Sequence, residues 1–188
     1  MAFTQTGLPG LLVYEPKVFT DDRGYFFESY SERSFRDAGI HIRFVQDNQA
    51  RSTFGVLRGL HYQLDPHAQT KLIRVLEGEI VDVVVDLRAG SPTQGESYTV
   101  RLSAENKKQL LVPKGFAHGY AVVSPHAEVY YKVDEFYHKA SEGGLLFRDP
   151  SLGIDWGIDP ARALVSDKDR VLPLLGELGF PFRYEYPH

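Results

Sequence analysis

The sequence contains no cysteine. Disulfides, thiol nucleophiles and thiolate metal sites are thereby excluded, while the compartment is left open. Long apolar runs are missing too, and nothing approaches the roughly 20 residues that a membrane-spanning helix needs. The N-terminal Met1-Ala2-Phe3-Thr4-Gln5-Thr6-Gly7 has no basic stretch followed by an apolar one. No signal peptide is therefore expected, and the default location is the cytoplasm. Positive charge is not in excess: the formal net charge is −4. That argues against a broad nucleic-acid face and leaves room for a local basic pocket holding one small anion. There is also no Gly-x-Gly-x-x-Gly fingerprint for a dinucleotide.

What remains is an ordinary globular composition. The chain has 188 residues, 43% of them apolar and 24% charged, which is enough for one domain with a real core. No repeat, low-complexity tract or linker interrupts it, so residues 1–188 read as a single domain. The 11 Tyr and 12 Phe suit a β-rich core or a stacking site.

Extended signals dominate the middle. Lys71 to Leu76 and Glu79 to Leu87 are apolar-rich runs split by Glu77-Gly78, which reads as a hairpin. In the second run Val81, Val83 and Val85 alternate with Asp82 and Asp86, predicting one buried face. Tyr98 to Leu102, Gln109 to Val112, Gly119 to Val123 and Glu128 to Val133 follow as strands between turns, a spacing typical of a sandwich or barrel. A few short helices are expected: Ser31 to Ala38, capped by Ser31 and stopped at Gly39; one opening at Asp159-Pro160; and one after Ser166-Asp167-Lys168-Asp169. The part after about Asp149 reads as helical and looser.

Several residues could carry chemistry. His61 and Gln63 lie two apart and share a face of a strand. His61 is either a hydrogen-bonded core histidine or a functional one. Lys71 shares a face with Ile73 and Val75; it is either a solvated strand end or a cation aimed at developing negative charge. His118, in Pro113-Lys114-Gly115-Phe116-Ala117-His118, is a packed turn residue, a polarising donor or a metal ligand. Its obvious ligand company would be His61, His67 and Gln63, a poor divalent set. Tyr131 faces inward if Val129 and Val133 do; it either packs or delivers a proton opposite a histidine base. Asp169 either caps a helix or folds back to orient His61. Arg23 and Arg58 are candidate phosphate forks. Glu28, Gln46, Asn48 and Glu142 could bond sugar or base edges.

Gly55-Val56-Leu57-Arg58-Gly59-Leu60-His61-Tyr62-Gln63 and Pro113-Lys114-Gly115-Phe116-Ala117-His118-Gly119-Tyr120 resemble the two signature motifs of a cupin barrel, with His61-Tyr62-Gln63 where metal cupins carry His-x-His. Taken with Phe19-Thr20-Asp21-Asp22-Arg23-Gly24, Phe44-Val45-Gln46-Asp47-Asn48, Tyr131-Lys132, Arg148-Asp149-Pro150 and Ser166-Asp167-Lys168-Asp169, most of the chain resembles the dTDP-4-dehydrorhamnose 3,5-epimerases. The resemblance implies a mainly β, cupin-type jelly-roll barrel with short helices towards its ends, no metal or other cofactor, and a homodimer. It implies His61 as base paired with Asp169, Tyr131 as acid on the opposite face, and Lys71 stabilising an enolate, with His118 lining the same pocket. Arg23, Glu28, Gln46, Asn48, Arg58, Glu142 and Lys168 fall where the family contacts its dTDP-linked 4-keto-6-deoxy sugar. Lys114 and Tyr120 stand where the family pattern has Glu and Phe; both flank His118 rather than replace a working group. The alternatives are a 3-only or 5-only epimerase of another deoxysugar, a 3,4-ketoisomerase, a metal-dependent cupin and a non-catalytic sugar-binding cupin.

Overall fold

The computed structural model describes residues 2–185. In chain order come β1 (Ala2–Gln5), β2 (Leu12–Glu15), β3 (Phe19–Asp21), β4 (Gly24–Phe26) and α1 (Glu32–Asp37). Then follow β5 (Gln46–Thr53), β6 (Leu57–Gln63), β7 (Lys71–Glu77), β8 (Glu79–Asp86), β9 (Arg88–Ala89), β10 (Ser97–Ser103), β11 (Gln109–Val112), β12 (Phe116–Val122), β13 (His126–Val133) and β14 (Glu142–Gly144). The C-terminal part carries α2 (Asp167–Arg170), α3 (Leu175–Leu178) and β15 (Phe182–Arg183). The caps are those expected from the sequence. The Ser31 side chain accepts from the Ser34 N–H, and that of Ser166 from the Asp169 N–H. Asp159 caps a short 3-10 turn over Pro160–Arg162.

Two antiparallel sheets pack face to face. One runs β1-β2-β11-β7-β13-β5 and the other β10-β8-β12-β6-β14. Their inner faces meet in a cluster that takes Val13, Ile73, Leu110 and Val129 from the first sheet and Ile80, Val84, Leu102 and Val122 from the second. This is the mainly β, cupin-type architecture that the strand spacing and the motifs imply. Among the described residues no helix is long and apolar enough to cross a membrane.

Three expectations need correction. β7 and β8 are not a hairpin: β7 pairs with β11 and β13, while β8 pairs with β10 and β12. The chain turns at Gly78 (φ +75°), where an added Cβ would sit 2.0 Å from the His126 carbonyl oxygen, and crosses from one sheet to the other. Two apolar strands can bury more by facing each other across a core than by lying side by side. Secondly, β8 is buried on both faces. Val81, Val83 and Val85 pack outward under the C-terminal segment, while Asp82 and Asp86 are wholly enclosed. Thirdly, that C-terminal segment is not loose. Leu145, Phe147, Trp156, Ala163 and Phe182 cover the outer face of the second sheet. Trp156 is 1% exposed and donates its indole N–H to the Phe147 carbonyl at 2.9 Å. Burying each such side chain is worth about 1.5–3 kcal/mol. α1 covers the other sheet in the same way, with Phe35 against Leu12, Tyr14 and Leu72.

Candidate active site

The site lies between the sheets. β6 and β12 pair with His61 opposite His118, and their register then shifts before Tyr120 reaches Arg58. The irregularity has a steric cause. Gly59 (φ +115°) faces Gly119 so closely that a Cβ on Gly59 would lie 2.6 Å from the Gly119 Cα, so neither position has room for a side chain. The distorted backbone turns the Gly59 N–H towards Asp169, whose Oδ2 accepts it at 3.3 Å. The other oxygen, Oδ1, meets His61 Nε2 at 2.7 Å. Asp169 is therefore more than a helix residue: α2 sets it, buried, behind the imidazole. Burial pushes its carboxyl up, but the bond and charge of His61, the Gly59 N–H and Ser166 outweigh that and hold it below the usual range. An ionised Asp169 accepts a hydrogen bond from Nε2–H, leaving Nδ1 as the basic nitrogen.

The opposite wall is β7 and β13, paired with Tyr131 against Ile73 and Val133 against Lys71. Period-2 alternation delivers both side chains inward, as expected, while Tyr130 and Lys132 point out to Asp47. Desolvation lowers the Lys71 ammonium to about 8, with Asp82 and Glu142 opposing the fall. Burial raises the Tyr131 phenol and Arg58 opposes it, so Tyr131 carries its proton at neutral pH.

A cavity of about 450 Å³ is lined by His61, Lys71, His118, Tyr131, Lys168 and Asp169, with Arg58 at its wall. A second lobe of about 180 Å³ shares His61, Lys71 and Tyr131 and adds Gln46, Asn48 and Glu142. Lys168 forms an ion pair with Glu142, which also accepts from the Tyr137 hydroxyl at 3.2 Å. Thus an imidazole, an amine and a phenol stand where the two lobes meet, the imidazole on one sheet and the phenol on the other. Such a site can remove a proton beside a carbonyl, hold the enolate, and return a proton to the other face. Among the described residues no three His, Asp or Glu side chains converge as a metal-ligand set.

Two residues expected at the site are elsewhere. Arg23 sits on the β3–β4 hairpin, exposed and forked onto Asp21, and lines a separate crevice with Phe19, Tyr25 and Phe26. The Glu28 carbonyl accepts from the Tyr14 hydroxyl, and Glu28 lines neither lobe. Among the described residues the hairpin's strand pairing is with itself, and Lys107 of the β10–β11 loop lies 4.1 Å over its Tyr25 ring. Conversely, sequence reasoning missed Asp82, which is fully buried and receives His118 Nε2 at 3.0 Å on each oxygen. The available signal was a carboxylate recurring inside a valine strand. It also missed Tyr137 at the second lobe.

The dTDP-4-dehydrorhamnose 3,5-epimerase family model matches residues 5–177. The chain belongs to that family. It is 52% identical over 170 residues to the dTDP-4-dehydrorhamnose 3,5-epimerase of Shigella flexneri, covering 90% of this chain and 93% of the relative. Among solved structures, the family member from Elizabethkingia anophelis superposes with a TM-score of 0.90 at 49% identity, over 94% of this chain and 97% of its own. A dTDP-6-deoxy-D-glucose-3,5-epimerase from Legionella pneumophila, solved with dTDP-4-keto-L-rhamnose, gives a TM-score of 0.91 at 45% identity, over 98% and 99%. The epimerase family is thus supported along nearly the whole length of the barrel and its cover.

Proposed function

We propose that the chain inverts C3 and C5 of dTDP-4-dehydro-6-deoxy-D-glucose, giving dTDP-4-dehydro-L-rhamnose for dTDP-L-rhamnose biosynthesis, as a single domain acting in the cytoplasm. Both C–H bonds flank the C4 ketone, so loss of either proton places charge on one shared oxygen. His61 Nδ1 takes the carbon-bound proton and the electron pair moves to O4. Asp169 stabilises the imidazolium, and the Lys71 ammonium faces the enolate oxygen. Tyr131 delivers a proton from the opposite wall, and solvent restores both groups, so the overall change is an isomerisation. The observation that carries this reading is the placement of the His61–Asp169 pair and the Tyr131 phenol on opposite sheets of one cavity, with Lys71 lining it from the strand beside Tyr131. The dTDP-4-keto-L-rhamnose held by the Legionella relative is in accord with it.

The proposed assembly is a homodimer. It would give the exposed β3–β4 hairpin, with Arg23 and its aromatic neighbours, a partner's cavity to reach. Light scattering tests the dimer. The reaction is tested by incubating the protein, with chelator, in deuterated water with the keto sugar and following both positions by NMR. Deuterium at C3 and C5 is the expected result. Exchange at one carbon alone would make the protein a mono-epimerase, and exchange that needs restored metal would make it a metal-dependent cupin. Ligand binding without exchange would make it a sugar-binding cupin.

A further inference from the structure

The inner face of β12 carries Phe116, His118, Tyr120 and Val122, because alternate residues of a strand share a side. Phe116 and Val122 pack in the core, and His118 has Asp82. Tyr120 is only 5% exposed, and no hydrogen bond from any described residue reaches its hydroxyl. Ser52 lies beside it, but no bond of acceptable geometry forms between the two, and the Ser52 hydroxyl accepts from Arg58 Nε at 3.2 Å. The ring packs with Ile80, Leu102 and Val122, while the residue also lines the 450 Å³ cavity. Burying a hydroxyl without a partner costs about 1–3 kcal/mol. Phenylalanine would fill the same volume at no such cost, so folding alone disfavours this oxygen.

We propose that the Tyr120 hydroxyl is a substrate-binding group that hydrogen-bonds an oxygen of the hexose in the epimerase reaction. The identity of the ligand rests on the proposed function; the orphaned hydroxyl does not. The hexose is assigned rather than the nucleotide because it is the hexose that must reach His61, Lys71 and Tyr131, which line the same cavity as Tyr120. Arg58, its partner across the strand pair, is by contrast exposed. Burial raises the Tyr120 phenol above its ordinary value, opposed by Arg58 and Ser52, with Tyr131 and Asp82 adding to the rise. The group therefore stays protonated and can donate to a carbonyl or hydroxyl oxygen throughout the neutral range.

The test is Tyr120→Phe, a change that keeps the ring and deletes one oxygen. Three quantities are compared with the wild-type protein: the melting temperature without ligand, the Kd of dTDP by calorimetry, and kcat/KM for dTDP-4-keto-6-deoxyglucose. The expected result is an unchanged or higher melting temperature, a dTDP affinity within about twofold, and kcat/KM lower by about tenfold, the size of one net hydrogen bond. A kcat/KM within twofold of wild type would overturn the proposal. So would an equal loss of dTDP affinity, which would put the hydroxyl on the nucleotide. A melting temperature lowered by several degrees would make it a structural group instead. Failure of the wild-type protein itself to exchange C3 or C5 hydrogens would overturn the epimerase reading and, with it, the hexose as ligand.

Discussion

Two neighbouring strands each present a histidine paired with a buried aspartate, and the two pairs face each other in register. Their chemistry is alike and their settings differ. The His61 side chain is 31% exposed and that of His118 is 9%. Asp169 bonds His61 through one oxygen and the Gly59 N–H through the other, whereas both oxygens of Asp82 lie at 3.0 Å from His118 Nε2. The first pair leaves an imidazole edge open to the cavity. The second is a closed unit whose carboxylate also supports the charge of Lys71. A His–Asp contact by itself thus says little about role; access and the third neighbour decide it.

The contrast can be broken most severely at His61. His61→Asn is expected to lower kcat about 10³–10⁴-fold with the fold retained; turnover within tenfold of wild type would remove the base assignment. Asp169→Asn should lower kcat about 10²–10³-fold, because the amide no longer fixes the tautomer or stabilises the imidazolium. Steady-state rates together with circular dichroism measure both. Tyr131→Phe should slow deuterium exchange at C5 by about 10²-fold and at C3 by less. Equal slowing at both carbons would contradict the opposite-face role.

The closed pair should answer differently. Asp82→Asn is expected to lower unfolding free energy by about 1–3 kcal/mol, read from urea titration, with a smaller loss of rate. It should also move the pH profile. Lys71 is charged below about 8 and neutral above it, so wild-type kcat/KM should fall about tenfold per unit above that pH. Removing Asp82 takes away a charge that raises the Lys71 pKa, so the alkaline limb should move to lower pH. A limb that stays in place in the variant would separate Lys71 from that limb.

The sequence was most legible where the signal is local. Period-2 alternation placed Lys71 and Tyr131 on inner faces, and Ser31 and Ser166 capped the helices they precede. The glycine-rich settings of His61 and His118 marked the strands that meet at Gly59 and Gly119. What failed depends on which strand lies beside which. The β7–β8 turn resembles a hairpin until the other strands claim both partners. Asp82 and Asp86 look like the wet side of a strand, since aspartate is seldom wholly buried without a partner. Asp82 finds its partner His118 on β12, 36 positions away, whereas Asp86 finds Arg88 only two positions on, at the start of β9. The C-terminal cover has no regular period, because Leu145, Phe147, Trp156 and Phe182 reach the sheet from irregular segments, a turn and the short β15 rather than from one long helix. Tyr120 appeared idle beside His118, and only the enclosure of its hydroxyl gives the residue significance.

Asp169 meets His61 from 108 residues away in sequence. The barrel strands that hold the histidine are synthesised before the carboxylate that bonds it. A chain still leaving the ribosome therefore owns the imidazole without its partner, and under the proposed mechanism proton abstraction would wait for the α2 segment to dock behind His61.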